Sequence, residues 1–208
     1  MTLLVTAFEA FDSHLNSSQE VLTALRKKHP STFMAQTIHY ETLPCDHQPL
    51  PAIITQLFQD IKPQTCLLMG QASKQAQILL ERFALNILDF RIPDNAKAQP
   101  QDKPVIDGGP HAYRTSLTSM HKLTTEMNNQ GIPVTTSNHA GTYLCNQAYY
   151  LALHHITSMK NAIPCIFMHI PLLPEQCIDD YHGAPHLTLD TSVHAAIRTL
   201  KHSMQHTT

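Results

Sequence analysis

The stretch "QAQILLERFALNILDF", Gln75 to Phe90, can be read two ways, and the architecture turns on which reading holds. Apolar residues at 76, 79, 80, 83, 84 and 87 fit one face of a helix, and strand alternation accommodates the same run. Propensity tilts toward the helix. Glu81 stands among Ile78, Leu79, Leu80, Phe83 and Ala84 in either case. A carboxylate in that company is costly without a partner, unless it lies on the exposed side of the helix.

The flanking segments are clearer. Leu3 to Phe8 and "TCLLMG", Thr65 to Gly70, are short apolar runs that read as buried strands, the second closed by glycine. A strand around Met34 to Leu43 precedes Leu50, Ile53, Ile54, Leu57, Phe58 and Ile61, which share one helical face. Ser17-Ser18-Gln19-Glu20 gives a capping-box pattern before Val21, Leu22 and Leu25. Downstream, the pattern predicts a helix over 115–130, a strand over 132–136, a helix over 146–160 and a strand over 164–169. Val193, Ala196, Ile197, Leu200 and Met204 predict a last helix. Alternating strands and helices indicate a sandwich built on a mostly parallel sheet, where sites collect at the carboxyl ends of strands. No repeat or linker divides residues 1–208, so one domain is expected. The polar, proline-rich stretch from Arg91 to His111 is too long for an idle connector and suits a cover for a site or a subunit contact.

Composition narrows the function classes. Apolar residues make up 42% and charged residues 14%, which excludes a disordered chain. The net charge is -2, and no basic run exceeds Arg26-Lys27-Lys28, so neither nucleic acid nor a membrane surface is an expected partner. The amino terminus lacks the basic segment of a signal peptide, and no apolar run is long enough to span a bilayer. Five scattered cysteines are not a disulfide framework and fit reduced thiols in a cytoplasmic protein.

One cysteine sits where chemistry is plausible. In "SNHAGTYLCNQAYYLALHH", Ser137 to His155, a loop of small and polar residues runs into an apolar helix, with Cys145 at the junction. There a thiol can be a buried spacer, a metal ligand or a nucleophile. Unpaired N–H groups and the helix dipole favour a thiolate at that place. A nucleophile needs a base and a group that orients the base. His169, which closes "CIFMHIP" before a proline, and Glu81 are the candidates. Fifteen histidines raise the question of a metal, but His154-His155 point apart on a helix and "HGAPH", His182 to His186, offers a single pair. No metal is expected. The chain has no glycine-rich phosphate loop, no G-x-S-x-G elbow and no paired CxxC, and no cofactor is implied.

At these residues the chain resembles the pyroglutamyl peptidase I (pyrrolidone-carboxylate peptidase) family of cysteine peptidases. "SNHAGTYLCN" is similar to the family's nucleophile motif and "LLERFALNILDFRIPDN" to its glutamate and arginine segment. "FMHIPLLPEQ" is similar to its histidine segment, and "DGGPHAYRTSL" to the stretch between them. Order and spacing agree from about residue 3 to residue 176. The resemblance implies a single peptidase domain, a three-layer α/β/α sandwich with a mostly parallel twisted sheet, and Glu81 on a strand. It implies Cys145 as nucleophile, His169 as general base and acid, and Glu81 as the partner that orients it. The implied reaction is release of an N-terminal 5-oxoproline residue from peptides through a thiol acyl-enzyme. Arg91 is the position it suggests for an oxyanion donor beside the N–H of Cys145, although Arg91 could instead pair with Asp89 or Asp94. Phe8, Phe11 and Tyr143 fall at the family's aromatic pocket positions, Phe8 and Phe11 being alternatively core residues. Asn16 and Gln71 fall at polar pocket positions, where main chain can matter more than side chain. The expected partners are N-terminally pyroglutamylated peptides and other copies of the chain, as a homo-oligomer (dimer or tetramer).

Two substrate loops depart from the family pattern. Gly-Phe-x-Pro-Phe-Gly-Gly becomes Ala7-Phe8-Glu9-Ala10-Phe11-Asp12-Ser13, where a positive φ at the paired glycines would suit Asp12 better than Ser13. Gln-Ala-Gly-Gly-Arg becomes Gln71-Ala72-Ser73-Lys74-Gln75. The triad segments are intact, so a second reading keeps the fold but acts on another small acyl amide, or binds without catalysis.

Overall fold

The computed structural model describes residues 1–11, 15–159, 163–179 and 181–205. The first half of the chain forms β1 (Thr2–Phe8), α1 (Ser17–Lys28), β2 (Thr32–Phe33), β3 (Gln36–Leu43), α2 (Leu50–Ile61) and β4 (Thr65–Gln71). It continues through β5 (Ile78–Glu81), β6 (Phe83–Leu85), β7 (Ala112–Arg114), α3 (Met120–Asn129) and β8 (Val134–Ser137). The last part is α4 (Leu144–Thr157), β9 (Cys165–Ile170), α5 (Gln176–Asp179) and α6 (Leu189–Gln205). Seven strands form one sheet in the order β2-β3-β1-β4-β9-β5-β8, and β6 pairs with β7 outside it.

The sheet is mostly parallel. β3, β1, β4 and β9 run together, β5 is antiparallel to β9 but parallel to β8, and β2 is an antiparallel edge. Alternation along each strand separates two cores. Val5, Leu67, Met69, Ile166 and Met168 face α1, α3 and α6, packing with Leu22, Leu123 and Leu200. Leu4, Leu68 and Phe167 face α2 and α4, packing with Ile54, Phe58 and Tyr149. These are the three layers of an α/β/α sandwich. Among the described residues no helix is long and apolar enough to cross a membrane.

The helix favoured by propensity over 75–90 is not formed. Ile78 and Leu80 join one core and Glu81 faces the other, while β9 and β8 hydrogen-bond the two edges of β5. Burial on both faces and both edges outweighs a propensity difference of tenths of a kcal/mol per residue. The expected capping box at Ser17 is also displaced by one residue. Asn16 is the N-cap, and its Oδ1 accepts the Ser18 N–H at 3.0 Å and the Ser18 hydroxyl at 2.7 Å. The 91–111 stretch is pinned to the body by a Leu88–Lys103 bridge and by Asn86, whose side chain bonds Ile106 and Gly109.

Candidate active site

Three adjacent strands bring Gly70, His169 and Glu81 onto one face of the sheet, beneath α4. Gly70 of β4 is in register with His169 of β9. On the other side His169 opposes Leu79 of β5, and Glu81 opposes Phe167. Glu81 and His169 are therefore diagonal neighbours with side chains on the same face. His169 Nδ1 lies 2.7 Å from Glu81 Oε1. Both are buried, Glu81 at 1% exposure and His169 at 9%. The Tyr149 hydroxyl donates to the main-chain oxygen of Glu81 at 3.1 Å, and Glu81 Oε2 has no partner among the described residues.

Cys145 comes down on this row from the first turn of α4. The helix is capped at Tyr143 with no side-chain cap bond, and the Gln147 N–H is the one that reaches back to Tyr143 O. The Cys145 N–H precedes the first intrahelical bonds and is free to meet an anion. Its sulfur rests on Gly70. A β-carbon added there would stand 2.6 Å from Cys145 Sγ and 2.9 Å from Phe167 Cζ. With Nδ1 committed to Glu81, the His169 ring offers Nε2 to the thiol. Burial works against charge on His169, but negative charge at Cys145 and Glu81 outweighs it and raises the pKa to about 10. The arrangement sets the His169 ring to take the thiol proton. Cys45 is a second thiol lining the cleft; burial, then the charges of Cys145, Glu9 and Asp94, push its pKa up and keep it protonated.

Two amides beside the thiol hold the helix in place. Asn146, fully buried, accepts from Leu85 N at 2.8 Å and donates to Leu85 O and Ile87 O. Gln147 donates to His47 O at 2.8 Å. His47 in turn meets Asp94 at 2.7 Å, and Asp94 also accepts the His47 and Ala98 main-chain N–H groups. The Asp46–His47–Asp94 cluster offers atoms that could hold a metal ion, but these bonds already account for its geometry as a clamp between α4 and the segment carrying Arg91.

A cleft of about 630 Å³ opens over Cys145, lined by every expected site residue outside the triad: Phe8, Phe11, Asn16, Gln71, Arg91 and Tyr143. His169 and Glu81 lie behind the sulfur. Tyr143 is the centre of an aromatic wall, 4.3 Å from the Phe90 ring and 5.9 Å from that of Phe11 by centroids. The side chains of Asn16 and Gln71 are spent on structure. Asn16 caps α1 and donates to Glu9 O, while Gln71 Oε1 accepts from Ser17 N and Gln176 Nε2. Gln71 main chain differs. Pairing of β1 with β4 ends at Thr6–Leu68, and the Gln71 N–H and C=O point away from β9. They leave one donor and one acceptor without a strand partner among the described residues. Arg91 is exposed and forms no ion pair with Asp89 or Asp94.

Sequence reasoning placed Ser73 and Lys74 on a substrate loop, and both line the cleft; it missed Gly70, Asn146 and Gln147 as supports, and Cys45, Ile92, Leu144, Tyr181, His182 and Ala184 as lining. Two amides opening an otherwise apolar helix were the available signal. The positive φ expected at Asp12 or Ser13 lies outside the described residues. Ser73 and Lys74 turn without positive φ, so that loop does not need the lost glycines.

The arrangement has relatives. The sequence profile of the family described as pyroglutamyl peptidase matches residues 1–205. The chain belongs to the pyroglutamyl peptidase family. It is 38% identical to the pyrrolidone-carboxylate peptidase of Erwinia tasmaniensis over 192 residues, 92% of this chain and 87% of that one. Identity with the Yersinia pestis protein of the same name is 36% over 187 residues, 89% of this chain and 85% of the relative. Among solved members of the family, pyroglutamyl peptidase I of Bacillus amyloliquefaciens superposes with a TM-score of 0.90 at 30% identity, covering 99% and 98% of the two chains. A mutant pyrrolidone carboxyl peptidase from the hyperthermophile Pyrococcus furiosus gives 0.93 at 29%, covering 100% of each.

Proposed function

We propose that this member of the pyroglutamyl peptidase family removes an N-terminal 5-oxoproline residue from peptides with Cys145 as nucleophile. The observation that carries the reading is Cys145 of α4 seated on Gly70 of β4, beside the His169–Glu81 pair of β9 and β5, with His169 raised to about 10. The Cys145 thiolate attacks the pyroglutamyl carbonyl carbon. The oxygen that becomes negative is met by the Cys145 N–H and by the Arg91 guanidinium. His169 passes its proton from Nε2 to the departing amine, leaving a thioester on Sγ. Water then attacks the thioester while His169 takes its proton. Free 5-oxoproline leaves with the thiolate and imidazolium restored. Glu81 fixes the ring through Nδ1.

The ring is small and uncharged, and the cleft answers with matching chemistry. Phe8, Phe11 and Tyr143 supply apolar walls, and the N–H and C=O of Gln71, without a strand partner among the described residues, suit the lactam C=O and N–H. A free amino terminus would bring a charge that this wall does not serve. The same proposal includes one peptidase domain over residues 1–208, a reducing cytoplasmic setting for the thiol, and a homo-oligomer using the 91–111 stretch, which light scattering would measure. Product analysis tests the reaction. A pyroglutamyl peptide should yield free 5-oxoproline and a peptide shorter by one residue, while its prolyl counterpart stays intact. Cleavage of both, or of neither, rejects the assignment.

A further inference from the structure

The cleft holds more than a lactam needs. Its volume, about 630 Å³, lies in the range of sites that take whole drug-sized ligands. A volume on that scale leaves room for residues that follow the pyroglutamyl group. Among the described residues the cleft's charged lining is cationic. Lys74 and His182 line it in addition to Arg91, and no carboxylate does among the described lining residues. Lys74 is exposed on the loop after β4, and no ion pair is formed by it with any described residue. His182 stands on the loop after α5. Neither is needed by an uncharged ring, and only Arg91 has work at the reacting carbonyl.

We propose that Lys74, with His182, makes the leaving-group side of this cleft a carboxylate-selecting subsite. Peptides carrying an acidic group just after the pyroglutamyl residue are its preferred substrates. The inference rests on the pyroglutamyl reading above. Two sources offer the same chemistry, an Asp or Glu side chain and the free carboxyl end of a very short peptide. Lys74 is the fixed cation and His182 adds a ring nitrogen for hydrogen bonding, so the preference is about two- to fivefold, as for one exposed cation–carboxylate pair. It weakens with salt because the groups are solvent-screened.

Four substrates separate the sources: pyroglutamyl-Ala-Ala amide as reference, pyroglutamyl-Glu-Ala amide, pyroglutamyl-Ala with a free carboxyl end, and pyroglutamyl-Lys-Ala amide. The expected kcat/KM is about two- to fivefold above the reference for at least one carboxylate-bearing peptide, mostly through KM, and below it for the lysyl peptide. Which of the two carboxylates gains identifies the source. Lys74→Ala should level the series and Lys74→Glu should invert it. Equal kcat/KM across all four, or an unchanged order in Lys74→Glu, overturns the subsite while leaving the peptidase reading intact. Turnover of none of the four overturns the peptidase reading, and the subsite with it.

Discussion

Glu81 Oε1 and His169 Nδ1 face each other at 2.7 Å across β5 and β9, and the other Glu81 oxygen has no described partner. A carboxylate at 1% exposure with half its capacity unmet depends on the imidazole for its charge. Conversely, the carboxylate fixes the orientation of the imidazole, whose proton is held first by Cys145 and then by Glu81. Glu81→Gln should fold and bind substrate but lose about two to four orders of magnitude in kcat, as expected when the orienting acid of a triad is neutralised. Steady-state kinetics would show it, and a kcat within threefold of the natural protein would remove Glu81 from the mechanism.

His169 carries a pH signature. Its folded pKa, about 10, lies above the ordinary histidine value of 6.5. The folded state therefore holds this proton more tightly than the unfolded chain. The stability it contributes is fully present below about 6.5 and is lost as pH rises toward 10. The alkaline limb of kcat/KM should fall near the same upper value. NMR titration of the His169 ring should find it there, and should find it lower in Cys145→Ala, where the sulfur's charge is gone. An unchanged value in Cys145→Ala would show that the thiolate does not hold the proton.

Gly70 is a positioning residue. Gly70→Ala puts a methyl where Sγ and Phe167 Cζ now sit, at 2.6 Å and 2.9 Å. The sulfur must move, and misplacement near 1 Å costs about a hundredfold in rate. We expect kcat to fall by about ten- to a hundredfold with KM little changed, and stability to fall by about 1–3 kcal/mol from overpacking. Alkylation of Cys145 by iodoacetamide at neutral pH should slow in parallel, a readout that core strain alone would leave untouched.

Arg91 is exposed and lines the cleft. Arg91→Ala should leave the denaturation midpoint within about 0.5 kcal/mol of natural, as at ordinary surface positions. If the guanidinium meets the oxyanion, kcat should drop by about a hundredfold or more, the usual loss for one such donor. An unaltered kcat would assign the oxyanion to main-chain groups alone.

Much of this was legible in sequence. β1, α2, β4, β9 and α6 announce themselves through apolar runs and one-faced spacing, since burial on a regular element imposes a period. Cys145 and His169 were legible as residues at element ends. The 75–90 segment was not, because a strand buried on both faces loses the alternation that would separate it from a helix. Gly70 read as the end of a strand, because its contact with Cys145 spans 75 positions of chain. Asn16 displaced Ser17 as N-cap because its side chain also reaches Glu9. Lys74 and His182 share a cleft through loop geometry, which has no period to read.

The measurement closest to the central claim is hydrolysis of a pyroglutamyl fluorogenic amide under reducing conditions, by the natural protein and by Cys145→Ala, with folding of both checked by circular dichroism. The triad geometry predicts turnover by the natural protein and a loss of at least a thousandfold in the variant. Turnover that survives the substitution would contradict the thiol mechanism, and its absence from the folded natural protein would contradict the peptidase assignment.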